Sequence, residues 1–231
     1  MSPDPLILAV ETATLAGSLA IARGAALLGS RSGDPAISHS NTLLADLDKL
    51  LAEAQITLSE IDLFAVAAGP GSFTGLRIGI ATVKALAETL ARPCAAIPTL
   101  QAVALAGGAA ETSVALLPAG RGEVFAESFS VGSHGAVTPR DEPSHIAPKK
   151  MVDNYGSLQN VLWCGPGAIA QRELIQAAGA GKHWLIAPET TNLAVYVAAL
   201  ALRSFRDEHV VAPDALQAIY VRPSDAELKV S

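Results

Sequence analysis

The sequence predicts an α/β fold built as two similar lobes, and three observations lead to this prediction. Short apolar runs typical of buried strands alternate with segments that carry helical apolar stripes. A Gly-Pro-Gly turn stands between a strand and a helix twice, at 69–71 and at 165–167. Gly107-Gly108 separates the two stretches. We therefore expect one lobe over 1–106 and another over 107–231, whose last helix and tail are candidates for packing back on the first lobe.

The first lobe is predicted to open with an antiparallel hairpin, because two short apolar runs flank a polar turn. Ser40 or Asn41 is expected to cap a helix that follows the hairpin. That helix carries one apolar stripe, formed by Leu43, Leu44, Leu47, Leu50, Leu51 and Ala54. The predicted strands are 6–10, 17–22, 25–30, 63–68 and 95–97, and the later helices are a turn opened by a capping box at 57–60, then 76–90 and 99–106.

The second lobe is predicted to have the same order of elements, although its sequence signals are weaker. Its predicted strands are 113–117, 123–131, 136–137, 160–164 and 183–186. Its predicted helices are 168–178 and 192–203, with a proline-rich loop at 139–149 and an extended chain from Val210 onward. The two halves thus share one order of elements, which suggests two related lobes.

Composition narrows the classes of function. The chain has 231 residues, of which 50% are apolar and 4% aromatic, so small aliphatic side chains must fill the core. The net charge is −6 and the basic residues are scattered, with Lys149-Lys150 as the only adjacent pair. A protein that holds a phosphate backbone by itself usually has a basic face. We therefore expect no strong independent binding of nucleic acid, although a local patch formed by folding stays open.

Three further features point to the cytoplasm. Cys94 and Cys164 are far apart, and we interpret them as buried thiols in a reducing compartment rather than as a disulfide. No apolar stretch reaches the roughly 20 residues that span a bilayer. Asp4 and Glu11 do not fit a signal peptide, so we expect a cytoplasmic protein without a membrane partner.

The tip of the first hairpin is a candidate phosphate site. Glu11 at the end of a buried strand could orient a magnesium-bound water, and the hydroxyls of Thr12 and Thr14 precede a glycine turn whose N–H groups could bind phosphate. The alternative is a polar tip that caps its own backbone.

The segment GPGSFTGLR at 69–77 is the predicted functional centre. A glycine turn before a helix offers free N–H groups to an anion, and its candidate residues are Gly69, Gly71, Ser72 and Gly75. It is not a Walker A loop, because Leu76-Arg77 follows Gly75 where that motif needs lysine and a hydroxyl residue. The alternative is a tight turn without a ligand. Phe73 argues for more, since an aromatic side chain at such a tip is exposed unless something covers it.

The helix after this turn is apolar on most of its circumference. One stripe comprises Leu76, Ile80, Val83, Ala87 and Leu90, and a second comprises Ile78, Ala81, Thr82, Ala85 and Thr89. One face must cover its own sheet and the other needs the preceding helix, another chain, or both. Gly79 and the alanines are expected to allow a close helix–helix approach. Which stripe meets the core is left open, so Ile80→Asp or Val83→Asp is expected to damage folding or partner binding.

The sequence offers few candidate catalytic residues. No two of the five histidines have the helical spacing of a zinc pair, so no metal site is predicted. Ser72 is not in a Gly-x-Ser-x-Gly nucleophile motif. The sequence therefore favours binding over catalysis.

Four segments together resemble the bacterial TsaB (YeaZ) family: LILAVETATLAGSLAIA, HSNTLLADLDKLL, IDLFAVAAGPGSFTGLRIGIATVKALA and the later AIYVRP. The resemblance covers most of the first 105 residues closely. It implies an actin-like ATPase fold and a scaffold without catalytic residues or cofactors. It also implies a TsaD-like catalytic partner that carries nucleotide and metal, a TsaE-like ATPase, a homodimer when alone, and contact with tRNA only within the complex.

The resemblance, with the two-faced helix, gives a set of candidate partner-binding residues: Leu43, Leu47, Leu50, Phe73, Thr74, Arg77, Ile78, Ala81, Thr82 and Ala85. The alternative function is an ATP-dependent small-molecule kinase of the same fold, which predicts magnesium-dependent ATP turnover that Glu11→Ala abolishes. A metalloprotease would need bound zinc, and the paired-histidine motif is missing.

The chain departs from the family pattern in two places. The family's Asp-Thr-Ser at the hairpin is Glu11-Thr12-Ala13, and the extra methylene moves the carboxylate and weakens any magnesium role. In the second lobe the family's Asp-Ala-Arg-x-Gly-Glu-Val-Tyr reads PAGRGEVF at 118–125, where the Asp is lost and Arg121 stands one place later. We therefore do not expect this chain to make the contacts that the family makes through that Asp or Arg.

Overall fold

The computed structural model describes residues 4–37 and 39–221, which form two compact α/β units. The first unit comprises the described residues up to Thr99 together with Thr191–Ile219. The second comprises Leu100–Thr190 and resumes at Tyr220. The lobe boundary at 106/107 stays a prediction of the sequence. Arg222 and Pro223, the last residues of the AIYVRP segment, lie outside the described residues.

Strands make up the centre of each unit. In the first unit they are β1 (Leu6–Glu11), β2 (Ser18–Arg23), β3 (Ala26–Ser32), β4 (Leu63–Gly69) and β5 (Cys94–Pro98). In the second they are β6 (Ala110–Pro118), β7 (Val124–Val131), β8 (Val137–Pro139), β9 (Ser144–Ile146), β10 (Val161–Cys164) and β11 (Leu185–Ile186). The helices are α1 (His39–Ala54), α2 (Phe73–Thr89), α3 (Thr99–Gly107), α4 (Pro148–Tyr155), α5 (Pro166–Ala170), α6 (Arg172–Ala178) and α7 (Ala194–Arg206).

The first sheet has the order β3-β2-β1-β4-β5. The predicted hairpin is confirmed, because β1 and β2 pair antiparallel. β1 and β4 are parallel and sit at the middle of the sheet, and every residue of both strands is buried. Such continuous apolar strands require cover on both faces. The cover comes from α1, α2 and α7, and α7 contacts all five strands.

The second sheet repeats the topology of the first. Its order is β11-β10-β6-β7-β8, with β9 paired to β7 beside β8. As in the first sheet, the opening two strands are antiparallel and the later ones join in parallel. The shared order of elements that the sequence suggested thus extends to strand order and direction.

The first helix differs from its prediction in two ways. It begins at His39, so Ser40 and Asn41 lie within its first turn instead of capping it. Leu44 is 61% exposed, although the sequence placed it in the buried stripe. At about 100° per residue Leu44 falls at the edge of that stripe. The sheet covers the centre of the stripe and leaves this edge in solvent.

Two helical segments of the second unit also differ from the prediction. The loop predicted at 139–149 contains β9 and leads into α4, which the sequence missed because its prolines suggested a loop. Pro148 is at the start of α4, where its missing N–H costs nothing. Met151 and Tyr155 are one turn apart and buried. The single helix predicted at 168–178 is two helices, interrupted at Gln171.

The C-terminal segment of the first unit crosses the sheet and α2. Val211 pairs with Cys94 at the edge of β5, and the Ile219 N–H donates to Ala68 O over 2.7 Å. The predicted extended chain is interrupted by a 3-10 turn at Pro213–Ala215. Lys84 of α2 donates to the Asp214 and Leu216 carbonyls at 3.1 and 3.3 Å. These bonds satisfy carbonyls that the short turn leaves unpaired.

Lys84→Met is expected to lower the free energy of unfolding of the chain by about 1 kcal/mol, because two carbonyls lose a charged donor while the apolar stem is kept. Urea unfolding followed by circular dichroism measures this change. Lys49→Met is the matched control, since the Lys49 ammonium is exposed and only 3.9 Å from Asp46, and it should change stability by less than about 0.5 kcal/mol. Equal stabilities of the two variants would contradict the role of Lys84.

Both cysteines are free and buried, as predicted. Burial raises the pKa of Cys94 to about 11 and that of Cys164 to about 12, so neither thiol is a ready nucleophile. Within residues 4–37 and 39–221, no helix is long and apolar enough to cross a bilayer.

Candidate functional site

The hairpin tip is closed on itself by Glu11. Its carboxylate is 1% exposed and accepts bonds from the Thr14 N–H at 2.7 Å, the Thr14 hydroxyl at 2.9 Å and the Ser18 hydroxyl at 3.0 Å. These three donors satisfy acceptor atoms that burial would otherwise leave without hydrogen bonds. The arrangement corresponds to the alternative in which the hairpin caps its own backbone.

The same hairpin docks on the start of α2. The Ser72 N–H donates to Ala13 O at 2.8 Å, and the Thr12 hydroxyl donates to Gly75 O at 2.8 Å. Thr12 is 1% exposed, so its bond to α2 is fully shielded from water. Two of the groups predicted to bind phosphate, the Thr12 hydroxyl and the Ser72 N–H, thus make hydrogen bonds within the protein.

Three glycines of α2 and its turn make this docking possible. A Cβ at Gly75 would lie 1.9 Å from Thr12 O, and one at Gly71 would lie 2.6 Å from Ala13 O. A Cβ at Gly79 would lie 2.2 Å from the Thr12 hydroxyl oxygen. Any side chain at these positions would therefore push the hairpin away. Gly79 faces the hairpin, so the expectation that it allows a close helix–helix approach was wrong.

The glycine turn is also shorter than predicted, because α2 begins at Phe73 rather than at Leu76. Ser72 is the N-cap, and its hydroxyl accepts from the Gly75 N–H at 3.2 Å. Gly69 is held by the Thr99 hydroxyl, which accepts its N–H at 3.1 Å. Phosphate binding at Glu11, Thr14 and the turn stays a prediction, and these contacts favour a structural role.

Helix α2 has a clear inward face. Leu76, Ile80, Val83 and Ala87 are buried and between 0 and 8% exposed. They recur every three or four residues and pack on β4, the strand that precedes the helix. This settles the question that the sequence left open, since the stripe through Val83 covers the sheet of its own unit.

The outward face of α2 carries the second stripe. Ala81, Ala85 and Thr89 are exposed, and Ile78 and Thr82 are half-buried. Thr74 lies one turn before Ile78 on the same face and is also exposed. At about 100° per residue, Arg77, Lys84 and Glu88 fall together along one flank of this face. The outward face is thus a nearly uncharged strip with a charged flank.

Phe73 and Arg77 join at the N-terminal end of the outward face. The Arg77 guanidinium carbon lies 3.9 Å from the centre of the Phe73 ring, a cation–π distance. Phe73 remains 36% exposed. The sequence predicted an aromatic residue at the tip that needs cover, and in this chain Arg77 supplies part of that cover.

The candidate residues on α1 lie elsewhere. Leu43, Leu47 and Leu50 are 8, 3 and 1% exposed and belong to the core of the first unit, where α1 packs on β2 and β3. These three leucines are therefore left out of the partner surface proposed below, because a partner cannot reach them while the unit is folded. Leu44 on α1 and Leu15 at the hairpin tip are instead 61 and 76% exposed. Leu15 had a signal in the sequence, an apolar residue at the tip of a polar turn.

The second-unit segment that departs from the family pattern forms a tight loop. Gly120, Arg121 and Gly122 all have positive φ, so the loop before β7 reverses sharply. Glu123 follows it, and one of its carboxylate oxygens lies 2.8 Å from Nε2 of His145 on β9. No three His, Cys, Asp or Glu side chains gather into a metal site among the residues that the structure describes.

Two α/β units with the same strand order, each built on a mixed sheet flanked by helices, define a protein of the actin-like ATPase fold. The predicted fold class is confirmed. The solved structure of YeaZ from Pseudomonas aeruginosa has this fold and superposes on the chain with a TM-score of 0.77. The superposition covers 94% of this chain and 99% of the other at 24% identity.

A family model described as TsaD, tRNA N6-adenosine threonylcarbamoyltransferase, matches residues 35–219, and the chain belongs to this family. The tRNA threonylcarbamoyladenosine biosynthesis protein TsaB of Escherichia coli K12 is 25% identical to it over 232 residues, which are 97% of each chain. The predicted resemblance to the TsaB (YeaZ) proteins is confirmed.

Another relative matches a shorter stretch of the chain at higher identity. An uncharacterized protein of Mycobacterium tuberculosis is 35% identical over 99 residues, which are 42% of this chain. That match is 47% of the relative's length, so the chain spans about half of it.

Proposed function

We propose that this chain is a non-catalytic subunit that pairs with a TsaD-like catalytic protein in the formation of threonylcarbamoyladenosine on tRNA. The observation that carries the proposal is the outward face of α2, a row of Ala, Ile and Thr side chains that the described part of the chain leaves exposed or half-buried. A solvent-facing helix row without charges gains free energy when a partner covers it. The E. coli relative, whose name places it in this biosynthesis, supports the pathway.

Two features support the absence of catalysis in this chain. Glu11, the carboxylate that would orient a magnesium-bound water, is engaged by Thr14 and Ser18. The close approach of Thr12 and Ala13 to the glycines of α2 occupies the space above the helix N-terminus. We therefore propose that ATP and metal are bound by the partner subunits, and that tRNA is contacted through the complex.

The proposed partner surface consists of Phe73, Thr74, Arg77, Ile78, Ala81, Thr82 and Ala85. The same surface would close a homodimer when the partner is absent, because an apolar row on one copy can cover the row on another. A TsaE-like ATPase would join the pair at another surface. Only one partner at a time can occupy α2, so the homodimer and the heterodimer compete.

Ala81→Asp is expected to weaken binding of a TsaD-like protein at least about tenfold while leaving the chain folded, because an unpaired carboxylate would be buried only in the complex. Calorimetric titration of the purified proteins measures the binding, and circular dichroism checks the fold. Ala177→Asp is the matched control, an exposed alanine of α6 in the second unit.

Reconstitution separates the two parts of the proposal. If Ala81→Asp and Ala177→Asp bind equally well, the surface is wrong but the function can stand. If the other components modify tRNA equally well without this chain, the function itself is wrong.

A further inference from the structure

Glu127 of the second unit is a buried carboxylate whose role the proposed function does not explain. It lies in β7 opposite Ala115 of β6 and is 7% exposed. Side chains alternate along a strand, so Glu127 shares its face with Phe125 and Phe129. Its carboxylate has no hydrogen-bond donor among the residues that the structure describes. Burial without a donor favours the neutral form of a carboxyl group.

A loop at 140–143 crosses β7 at this point. β8 pairs with Phe129–Val131 and β9 pairs with Val124–Ala126, so the loop between them lies beside Glu127 and Ser128. Asp141 fastens the loop, because one carboxylate oxygen accepts the Ser128 N–H at 2.7 Å and the other accepts the Tyr155 hydroxyl at 3.0 Å. The loop therefore brings the Asp141 carboxylate next to Glu127, whose own carboxylate accepts no hydrogen bond from the described residues.

We propose that the loop at 140–143 is a proton-controlled latch, fastened when Glu127 is protonated and loosened when Glu127 is ionised. Ionisation places a charge beside Asp141 and Glu142, and the loop is the part that can move away. Its movement would release the Tyr155 hydroxyl and the short strand β9 that follows the loop. This inference is independent of the proposed function.

The charges around Glu127 favour this behaviour. The loop contributes Asp141 and Glu142, and both raise the pKa of Glu127. Arg140, the cation of the loop, donates to Glu111 O and to the Thr112 hydroxyl at 2.8 Å each, on β6. The other titratable groups on the neighbouring elements are Glu111 of β6 and His145 of β9, which lies against Phe125. Helix α4 adds two cations, Lys149 and Lys150, together with Asp153 and Tyr155. β8 contributes none.

Burial raises the pKa of Glu127 from its ordinary value of 4.5 to about 7, and the carboxylates of Asp141 and Glu142 add to this shift. A carboxyl group whose pKa is raised in the closed state stabilises that state below its ordinary pKa, and this stabilisation is lost as the pH rises toward the raised value. Opening of the latch therefore increases roughly tenfold per pH unit between about pH 5 and pH 7 and levels off above.

Hydrogen exchange of the full-length chain tests the latch. Backbone amides of 140–146, corrected for intrinsic exchange, should lose at least about tenfold protection between about pH 5.5 and pH 7.5 in the wild type. In Glu127→Gln the protection should stay high and independent of pH, because the amide cannot ionise. Glu173→Gln changes an exposed carboxylate of α6 and should behave like the wild type.

Two results would overturn the proposal. One is constant protection of 140–146 in the wild type across this range, and the other is the same pH dependence in Glu127→Gln as in the wild type. If Glu127→Gln does not fold, a carbon-13 titration of the wild-type carboxyl groups decides instead. A midpoint for Glu127 near its ordinary value of 4.5 rejects the latch, and a midpoint near pH 7 supports it only where amides 140–146 of the wild type lose protection over the same pH range.

Discussion

Val83→Asp is expected to unfold the first unit. Val83 is 0% exposed and lies at the centre of the inward row of α2, between Ile80 and Ala87. This row packs on β4, whose residues are all apolar and buried, so a carboxylate there would be removed from water. An unpaired buried charge costs about 4 kcal/mol or more, which approaches the total stability of many domains.

Urea unfolding monitored by circular dichroism, together with the yield of soluble protein, measures this effect. Ala85→Asp is the matched control, because it introduces the same residue into the same helix two positions away on the exposed face. It should change the free energy of unfolding by less than about 1 kcal/mol. A Val83→Asp variant as stable as Ala85→Asp would show that the inward and outward faces are assigned wrongly.

The second large effect is expected from Gly75→Ala, at about 3 kcal/mol of lost stability. The added Cβ would lie 1.9 Å from Thr12 O, a backbone atom that cannot turn away. Alanine is the better helix former, so propensity alone would stabilise the variant by about 1 kcal/mol. The expected sign is the reverse because the hairpin must move and gives up its bonds from Thr12 to Gly75 and from Ser72 to Ala13.

A double-mutant cycle distinguishes a clash with backbone from a clash with a side chain. A Cβ at Gly79 would meet the Thr12 hydroxyl oxygen at 2.2 Å, whereas the next Thr12 atom is 3.4 Å away. Thr12→Ala should therefore remove most of the cost of Gly79→Ala. It should remove only the share of the Gly75→Ala cost that comes from the Thr12 hydroxyl bond, because the clash with Thr12 O is with the backbone.

Gly132→Ala is the control for both glycines of α2, because its Cβ would have no neighbour closer than 3.8 Å. It should change the free energy of unfolding by less than about 0.5 kcal/mol. If Gly75→Ala proves as harmless as Gly132→Ala, the hairpin does not dock on α2 as described.

Local sequence patterns predicted much of the fold correctly. The runs LILAV and LFAVAA are too short for helices and too apolar for an edge, and they became the central strands β1 and β4. The prediction failed where two signals conflict. Pro148 suggested a loop although it starts α4, and Ser40 suggested a cap although α1 begins before it. Elements of eight residues or fewer give periodicity too little length to decide.

For the candidate site, the sequence by itself determined that α2 is apolar on two sides and that a glycine-rich turn precedes it. It also carried the family resemblance, because the segment GPGSFTGLR is specific. It could not determine which side is inward, since two stripes of similar hydrophobicity are equivalent until a sheet covers one of them. Tertiary packing made that choice by placing Val83 on β4 and leaving Ala81 in solvent.

Tertiary structure also decided what the glycines are for. In the sequence, Gly71 and Gly75 were candidates for an anion site, and Gly79 was a candidate for a close helix–helix approach. The fold places Thr12 and Ala13 within the space that their side chains would need. A glycine pattern records that something approaches the backbone closely, but the chain segment that approaches lies about 60 residues away in sequence. Only the folded structure brings the two together.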